Sequence, residues 1–202
     1  YKSANRLYYM CLDGIFEFDA EHSSFTFLCK IPEEVTSWLS CVMVDREQNI
    51  WIAMHDALFL QRNKIFYEYK SKDARIELFC GLVKKDGSLL TGTNRGKVYA
   101  KKQNLLTNYL GKNKSICSRS TLAAIYEDSR GWLWYGTAYE GLAVQQHDNL
   151  KRIDKTNGLG SNQNYFFLET KNGDLWTGGD GYISRIQKKP ENDSLSCSYY
   201  SS

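Results

Sequence analysis

A strand–turn–strand motif recurs along this chain, and its spacing constrains the fold more than any other feature. Its fullest copy runs from Tyr126 to Leu142 and contains a turn, Asp-Ser-Arg-Gly at 128–131, followed by Leu-Trp-Tyr-Gly-Thr at 133–137. Aromatic and β-branched residues favour strands, whereas Asp and Gly favour tight turns. This stretch therefore indicates a small β-meander, and no long stretch of the chain shows the 3.6-residue periodicity of helices.

The copies share an aliphatic residue near the start of the second strand of each motif. These residues are Leu7, Ile50, Leu89, Leu133 and Leu175. Their spacings, 50−7, 89−50, 133−89 and 175−133, are 43, 39, 44 and 42 residues. A repeat of about 40–45 residues with several strands is typical of a β-propeller, in which four-stranded blades cover one another's faces. We therefore expect an all-β chain of propeller-type repeats, with about five blades, as part of a larger propeller.

The strand-like runs place one propeller region over residues 1–202. A partial blade is expected at 5–31, with strands Leu7–Cys11, Gly14–Asp19 and Phe25–Lys30, and full blades are expected at about 36–70, 76–111, 120–155 and 162–200. The first blade lacks an innermost strand in this interpretation, so the blades would form an open arc.

An open arc would leave apolar blade faces uncovered at both ends. Residues near Leu7, Tyr9 and Trp176 would lie on these faces. Exposed apolar patches of that size favour pairing, so we expect a homo-oligomer that associates end to end.

Charge and hydropathy exclude several classes of partner. The 26 basic and 23 acidic residues give a net charge of +3, which is too balanced for binding nucleic acid or an anionic membrane. No apolar run approaches the roughly 20 residues of a membrane span. The sequence opens within a repeat, at Tyr1, so we expect a piece of a longer protein.

The cysteines and tryptophans are interpreted as core residues. None of the 6 cysteines forms a C-x-x-C pair, which gives no support for a zinc site, and Cys41 and Cys80 share a register with Ala124, as buried small residues would. Trp51 and Trp134 follow the repeated aliphatic residue, as does Trp176. We expect the three indoles to wedge between blades, although such a row could be mistaken for a sugar-stacking surface.

The sequence also resembles a known repeat family. A strand, Asp-x-x-Gly, Leu-Trp-x-Gly-Thr and then Gly-Leu resembles the two-component regulator propeller repeat, and the lead-in Asn-Gly-Leu-Gly-Ser-Asn-Gln at 157–163 is similar to the run that opens many such repeats. The resemblance covers nearly the whole chain. It is weaker at 39–60, where Gln48 replaces the turn Gly and Met54 replaces the Thr.

The resemblance implies a function. Such repeats build the periplasmic sensor regions of bacterial hybrid two-component systems, many of which detect oligosaccharides. In that family about seven blades precede a β-sandwich, a membrane span and a histidine kinase. The resemblance thus implies a non-enzymatic sensor segment that is periplasmic and belongs to a membrane-spanning parent.

Catalytic interpretations find little support. His22, His55 and His147 are too widely spaced to predict a metal site or a triad. The run 92–98 superficially resembles a phosphate loop, but it lacks the hydroxyl residue after Lys and the following helix. Asp45 and Asp128 recur at one register before a turn, which indicates turn capping rather than the paired acids of a glycosidase. We expect no catalytic residue, no cofactor and no metal.

Binding is better supported, because propellers place two sets of loops on one face: those that enter each first strand and those that join the second strand to the third. The candidate ligand-binding residues on these loops are Trp38, His55, Glu77, Arg95, Tyr139, Glu140, Asn162, Gln163 and Asp180. Rings, amides and carboxylates together suit sugar recognition, and the same set would suit a protein partner. The leading hypothesis is an oligosaccharide-sensing propeller. A protein-interaction propeller is the alternative, and a propeller lyase or glycan hydrolase is the third.

Overall fold

The structure is a computed structural model that describes residues 2–3, 6–11, 13–31, 39–54, 57–62, 65–73, 76–111, 114–188 and 194–201. It separates into two units, residues 1–91 with 99–107 and residues 92–98 with 108–202. Nearly all of the described secondary structure is antiparallel strand. No helix in the described ranges is both long enough and apolar enough to cross a membrane.

The first sheet has four antiparallel strands in chain order. They are β1 (Lys2–Ser3), β2 (Arg6–Cys11), β3 (Gly14–Asp19) and β4 (Ser24–Cys29). Leu7 is paired with Phe18, which is paired with Phe25, so these three side chains share one face. The sequence predicted only three strands here, and the structure adds β1 as a two-residue pairing with β2.

The second sheet has eight strands that form two meanders. The strands are β5 (Leu39–Val44), β6 (Ile50–Met54), β7 (Ala57–Arg62), β8 (Ile65–Ser71), β9 (Leu78–Val83), β10 (Leu89–Thr93), β11 (Val98–Lys102) and β12 (Leu105–Asn108). The order is β5-β6-β7-β8-β12-β11-β10-β9. The two meanders join through a short parallel pairing of β8 with β12, at Lys70 with Leu105 and at Ser71 with Leu106.

The third and fourth sheets are four-stranded antiparallel meanders. Their strands are β13 (Leu122–Glu127), β14 (Leu133–Thr137), β15 (Leu142–Gln146), β16 (Asn149–Ile153), β17 (Phe166–Glu169), β18 (Leu175–Gly179), β19 (Tyr182–Lys188) and β20 (Leu195–Ser201). A short 3-10 helix, Lys155–Asn157, begins the connection between them and is capped by the Asp154 carboxylate.

Successive sheets pack through the same two faces. We call the face that carries Tyr8, Trp51, Trp134 or Trp176 the Trp-side face, and the face that carries Leu7, Ile50, Leu89, Leu133 or Leu175 the Leu-side face. In the first unit, Tyr8 clusters with Ile50, and Trp51 clusters with Leu89. In the second unit, Trp134 clusters with Leu175. Each core is thus a Trp-side face buried on the Leu-side face of the following meander.

The tryptophans confirm the predicted core role in two of three positions. Trp51 and Trp134 are buried, whereas Trp176 is only half-buried. Leu7 and Tyr9 are exposed, as the sequence predicted for the face on which they lie.

Candidate ligand-binding loops

A chain of backbone hydrogen bonds joins the loops at one end of the sheets of the second unit. Its bonds, written from donor to acceptor, are Ile116 N to Gly96 O (2.7 Å), Ala138 N to Thr121 O (3.0 Å), Gly141 N to Asn162 O (2.9 Å), Asn164 N to Thr137 O (2.9 Å) and Tyr165 N to Gly178 O (2.8 Å). We call residues 94–97, 114–121, 138–141, 161–165 and 180–181 the loop belt. Because each of the first four segments is tied to its neighbour, the belt holds their side chains at defined positions.

Two glycines allow the segment 161–165 to lie close to the strands. A Cβ on Gly136 would lie 2.3 Å from the Asn164 carbonyl oxygen, and a Cβ on Gly179 would lie 2.3 Å from the Gln163 carbonyl oxygen. Both obstacles are backbone atoms, which cannot rotate away. Gly136 is the glycine of the Leu-Trp-x-Gly-Thr motif. This motif residue therefore allows the close approach of the loop that follows it.

A buried amide fixes the same segment from within. Asn164 is almost fully buried, and its Oδ1 accepts a hydrogen bond from Thr177 Oγ1 at 3.1 Å. Its Nδ2 donates to the Ser161 carbonyl oxygen at 3.4 Å. A satisfied buried amide gives a loop one preferred conformation.

Two tyrosines and a carboxylate are among the exposed side chains of the loop belt. Tyr139 is 67% exposed and Tyr165 is 43% exposed. Partial burial raises the pKa of the Tyr165 hydroxyl, and the Asp180 carboxylate and Tyr139 raise that pKa further. Tyr165 was missed by the sequence analysis, although it lies two residues after the predicted Gln163 and immediately before β17.

The polar candidates beside these tyrosines have structural partners. The Glu140 carboxylate accepts from the backbone amides of Arg119 (2.6 Å) and Ser118 (3.3 Å), and it lies 3.9 Å from the Arg152 guanidinium. The Asn162 side-chain oxygen accepts from Lys155 N at 3.0 Å. These carboxylate and amide oxygens therefore hold the loop belt together.

The remaining candidate ligand-binding residues lie only partly on the loop belt. Gln163 is part of the loop belt and is half-buried. Arg95 is exposed on the belt, and its backbone amide donates to Thr93 Oγ1 at 3.3 Å. Glu77 is exposed immediately before β9, in the first unit. Trp38 and His55 lie outside the described residues.

The recurrent aspartates cap turns. Asp128 is fully buried, and its carboxylate accepts from the amides of Arg130 (3.0 Å) and Trp132 (2.9 Å) and from Trp134 Nε1 (3.0 Å). Asp45 repeats this arrangement with the amide of Asn49 (2.9 Å) and with the Nε1 of the tryptophan at 51 (2.8 Å). Each aspartate also joins the turn to the indole on the Trp-side face, a role that the sequence analysis did not predict.

The cysteines that the structure describes are free thiols. Burial raises the pKa of Cys41 to about 12 and the pKa values of Cys29 and Cys117 to about 11. Thiolate is the reactive form, so these buried groups are poor nucleophiles and poor metal ligands. Among the residues that the structure describes, no three His, Cys, Asp or Glu side chains are grouped as metal ligands.

An open cleft of about 850 Å³ is lined by residues of the second unit. Tyr109, Lys114, Gln145, Asp148 and Leu150 line it, with two further residues. Tyr135 donates to Gln145 Oε1 at 2.8 Å and thereby orients that amide. The sequence analysis did not single out any of these residues.

Comparison with solved structures identifies a shared fold. The extracellular domains of two proteins assigned to hybrid two-component systems of B. thetaiotaomicron align with TM-scores of 0.73 and 0.69, at 20% and 17% identity. The alignments cover 100% and 90% of this chain but 28% and 26% of those chains, so this chain spans about a quarter of their length. Virginiamycin B lyase from Staphylococcus aureus aligns with a TM-score of 0.70 at 10% identity, over 92% of this chain and 62% of the lyase.

These likenesses concern the fold. The sequence resemblance to sensor propeller repeats is confirmed at that level by the extracellular domains of two-component systems. No protein-family model and no curated protein sequence matches the chain.

Proposed function

We propose that this chain is the extracytoplasmic, ligand-sensing propeller segment of a hybrid two-component sensor, and that its loop belt binds an oligosaccharide. In this proposal the segment faces the periplasm, it has no enzymatic activity, and its parent spans the membrane and carries a histidine kinase. The shared fold of the extracellular sensor domains supports the class of protein. The proposed binding site is the loop belt.

One observation carries the proposed ligand: two exposed tyrosine rings lie on loops that are joined by backbone hydrogen bonds, and the loop that follows carries the exposed Asp180 carboxylate. Tyr139 and Tyr165 offer ring faces, and Asp180 offers an acceptor for sugar hydroxyls. Sugars present apolar C–H faces between hydroxyl groups, so they stack on aromatic rings while their hydroxyls donate to carboxylates. Because the belt is already ordered, little conformational entropy is lost when a ligand binds.

The test is isothermal titration calorimetry of the chain with a panel of neutral and acidic oligosaccharides. We expect at least one sugar to bind, and we expect the double substitution Tyr139→Ala with Tyr165→Ala to weaken that binding at least about tenfold, equivalent to about 1.4 kcal/mol. Tyr109→Ala, in the side cleft, is the matched control and should leave affinity unchanged. Binding that is lost in the control but kept in the double variant would move the site to the cleft.

The lyase likeness supports an enzyme as a second candidate function. The same titrated samples can therefore be analysed for sugar products by mass spectrometry. Unchanged oligosaccharide after long incubation is expected of a sensor, whereas shortened or unsaturated products would replace the sensor proposal with catalysis.

A protein ligand is the other alternative for the loop belt. Its exposed tyrosines and its two arginines, Arg95 and Arg119, are residue types enriched in protein interfaces. If no oligosaccharide binds while a peptide or protein domain does so through Tyr139 and Tyr165, the interaction propeller is the correct function.

A further inference from the structure

The side cleft of the second unit is lined by two oppositely charged side chains, Lys114 and Asp148. Lys114 belongs to the connection that follows β12, and Asp148 belongs to the turn between β15 and β16. Both residues are exposed, and neither side chain has an ion pair or a hydrogen bond with another residue that the structure describes. Each charge is therefore available to a ligand group of the opposite sign.

The segments that carry these two charges are held by hydrogen bonds. The Lys114 amide donates to the Gly111 carbonyl oxygen at 3.2 Å, and Asn108 Nδ2 donates to the Lys114 carbonyl oxygen at 3.1 Å. Beside Asp148, the His147 carbonyl oxygen accepts a hydrogen bond at 3.1 Å from the side-chain amide of β15 that lines the cleft. Because the backbone is fixed on both sides, only side chains have to be ordered when a ligand binds.

The amide between the two charges is that of Gln145, on the Leu-side face of the third sheet. Its Oε1 accepts from the Tyr135 hydroxyl at 2.8 Å, and its Nε2 donates to the His147 carbonyl oxygen. Burial raises the pKa of Tyr135, so that hydroxyl stays protonated and remains a donor. An amide oxygen accepts two hydrogen bonds and an amide nitrogen donates two. Gln145 thus has one acceptor position and one donor position to offer to a ligand, which matches the N–H and C=O of a peptide group.

The rest of the lining is largely apolar. Tyr109 and Leu110 come from the connection, and Leu150, which is paired with Gln145, comes from β16. Tyr109 and Leu150 are each 36% exposed, so the cleft leaves part of both side chains in contact with water. An apolar ligand group that covers them gains the free energy of removing that surface from water.

The two charges distinguish between classes of ligand. Lys114 would attract an acidic ligand that Asp148 repels, and a basic ligand would meet the reverse. A neutral sugar would leave both charges without a counter-ion. A short peptide with free ends carries one ammonium group and one carboxylate, with peptide groups and side chains between them. Ligand pockets commonly measure about 300–1,000 Å³, so a cleft of about 850 Å³ can accommodate a peptide of a few residues.

We infer that the side cleft binds a short peptide with free ends, whose carboxylate pairs with Lys114 and whose ammonium group pairs with Asp148. A peptide group lies on the Gln145 amide, and an apolar side chain lies against Tyr109 and Leu150. This second site goes beyond the proposed function, because its described lining does not include the two exposed tyrosines or the carboxylate of the proposed sugar site.

The test is isothermal titration calorimetry of the chain at pH 7 with the tripeptide Ala-Phe-Ala and with its N-acetylated, C-amidated and doubly blocked forms. The free α-amino group is mostly protonated at this pH. We expect the free peptide to bind, and we expect each blocked end to weaken binding at least about threefold, as the loss of an exposed ion pair would.

Substitutions in the cleft assign each end of the peptide to its partner. Lys114→Gln should weaken binding of the free peptide as much as C-amidation does, and C-amidation should then have no further effect. Asp148→Asn and N-acetylation should replace each other in the same way. Lys151→Gln is the matched control, because it removes the same charge from the opposite face of the third sheet, and it should leave every affinity unchanged. Thermal melting checks that each variant is folded.

Several results would overturn the inference. Equal binding of the four peptides, or no heat of binding from the free peptide at millimolar concentration, would show that the two charges do not recognise peptide ends. Weaker binding in the Lys151 control would show a response to net charge alone. Peptide binding that is lost only in the double substitution of Tyr139 and Tyr165 would assign the peptide to the loop belt. Because the oligosaccharide test uses another ligand and other variants, either site can fail without the other.

Discussion

Trp134 and Trp176 occupy the same position in two copies of one motif, yet their surroundings are opposite. Trp134 is fully buried, its Nε1 donates to Asp128, and its ring packs near Phe167 at 6.4 Å between centroids. Trp176 is half-buried, and its ring stacks on Tyr200 of its own sheet. The difference teaches that the burial of a motif residue is decided by the sheet that packs over it, and not by its own repeat.

The largest expected effect tests this difference directly. Trp134→Ala should lower the free energy of unfolding by about 3–5 kcal/mol, because it opens a cavity between two sheets and removes a hydrogen bond to Asp128. Trp176→Ala should cost about 1 kcal/mol, since the indole already contacts water. Urea unfolding of the two variants, followed by circular dichroism, measures both values.

Trp134→Phe provides the matched control for the cavity. It keeps most of the ring but loses the indole N–H, so its loss of stability should fall between the other two. Equal losses for Trp134→Ala and Trp176→Ala would mean that both indoles are covered in solution. Repeating the comparison at low protein concentration separates self-association from an intrinsic effect.

The turn caps should show the same contrast at a smaller scale. Asp128→Ala leaves the buried amide of Trp132 and the buried indole N–H of Trp134 without an acceptor, so we expect a loss of about 2–3 kcal/mol. The position that corresponds in the last sheet is Thr170, whose Oγ1 accepts from the Asp174 amide at 3.2 Å. Thr170→Ala should cost about 0.5–1 kcal/mol.

Thermal unfolding followed by circular dichroism measures both cap variants. Asp128→Asn is a useful control, because it keeps an oxygen acceptor but loses the charge that pairs with Arg130 at 2.5 Å. If Thr170→Ala proved as destabilising as Asp128→Ala, the two turns would be equivalent and the difference would lie elsewhere.

The smallest expected effect concerns pH in the last sheet. The Arg185 guanidinium, with a contribution from Gln187, lowers the pKa of Asp174 below its ordinary value near 3.8. The folded state therefore favours the carboxylate, so this contribution is fully present above pH 5 or so and is lost as the pH falls through the lowered folded value. The pair is partly exposed and screened by solvent, so the contribution should be the smallest of those considered.

Asp174→Asn removes that titration. The stability difference between Asp174→Asn and the unmodified chain should shrink as the pH is lowered from 7 toward 2. Thermal unfolding at a series of pH values measures this stability difference. Asp128→Asn is measured in parallel as a second carboxylate-to-amide substitution. A difference that stays constant with pH would show that Asp174 acts only through hydrogen bonding.

Much of the fold could be predicted from the sequence, because turns and strands have local chemical signals. Gly14–Asp19 has the predicted bounds, and the strand predicted at Leu7–Cys11 is observed at Arg6–Cys11. The turn is preserved even where Gln48 replaces the repeat's glycine. The φ of Gln48, 65°, lies in the same left-handed region as the φ of Gly131, 83°. Period and turn residues suffice to locate such strands.

The candidate site could be predicted less completely from the sequence than the fold could. Tyr139 and Asp180 could be predicted from their position in hairpin loops. The sequence does not show, however, that the Glu140 carboxylate binds the amides of another loop, or that Asn164 is buried against Thr177. These contacts join residues that are far apart in the sequence or that belong to different loops, so local patterns carry no signal for them.

The close approach at Gly136 has a consequence for how repeats of this kind can be exchanged. Its missing side chain makes room for a carbonyl that belongs to the next repeat, at Asn164. The corresponding residue in the last sheet, Gly178, faces instead the carbonyl of Tyr182 in its own hairpin and the ring of Phe166. A repeat is therefore not a self-contained building block, because the steric requirement for this glycine comes from the repeat that follows it. Grafting or shuffling at repeat boundaries would separate a residue from the neighbour that requires it, so recombination should succeed best when each unit travels with the loop that follows it.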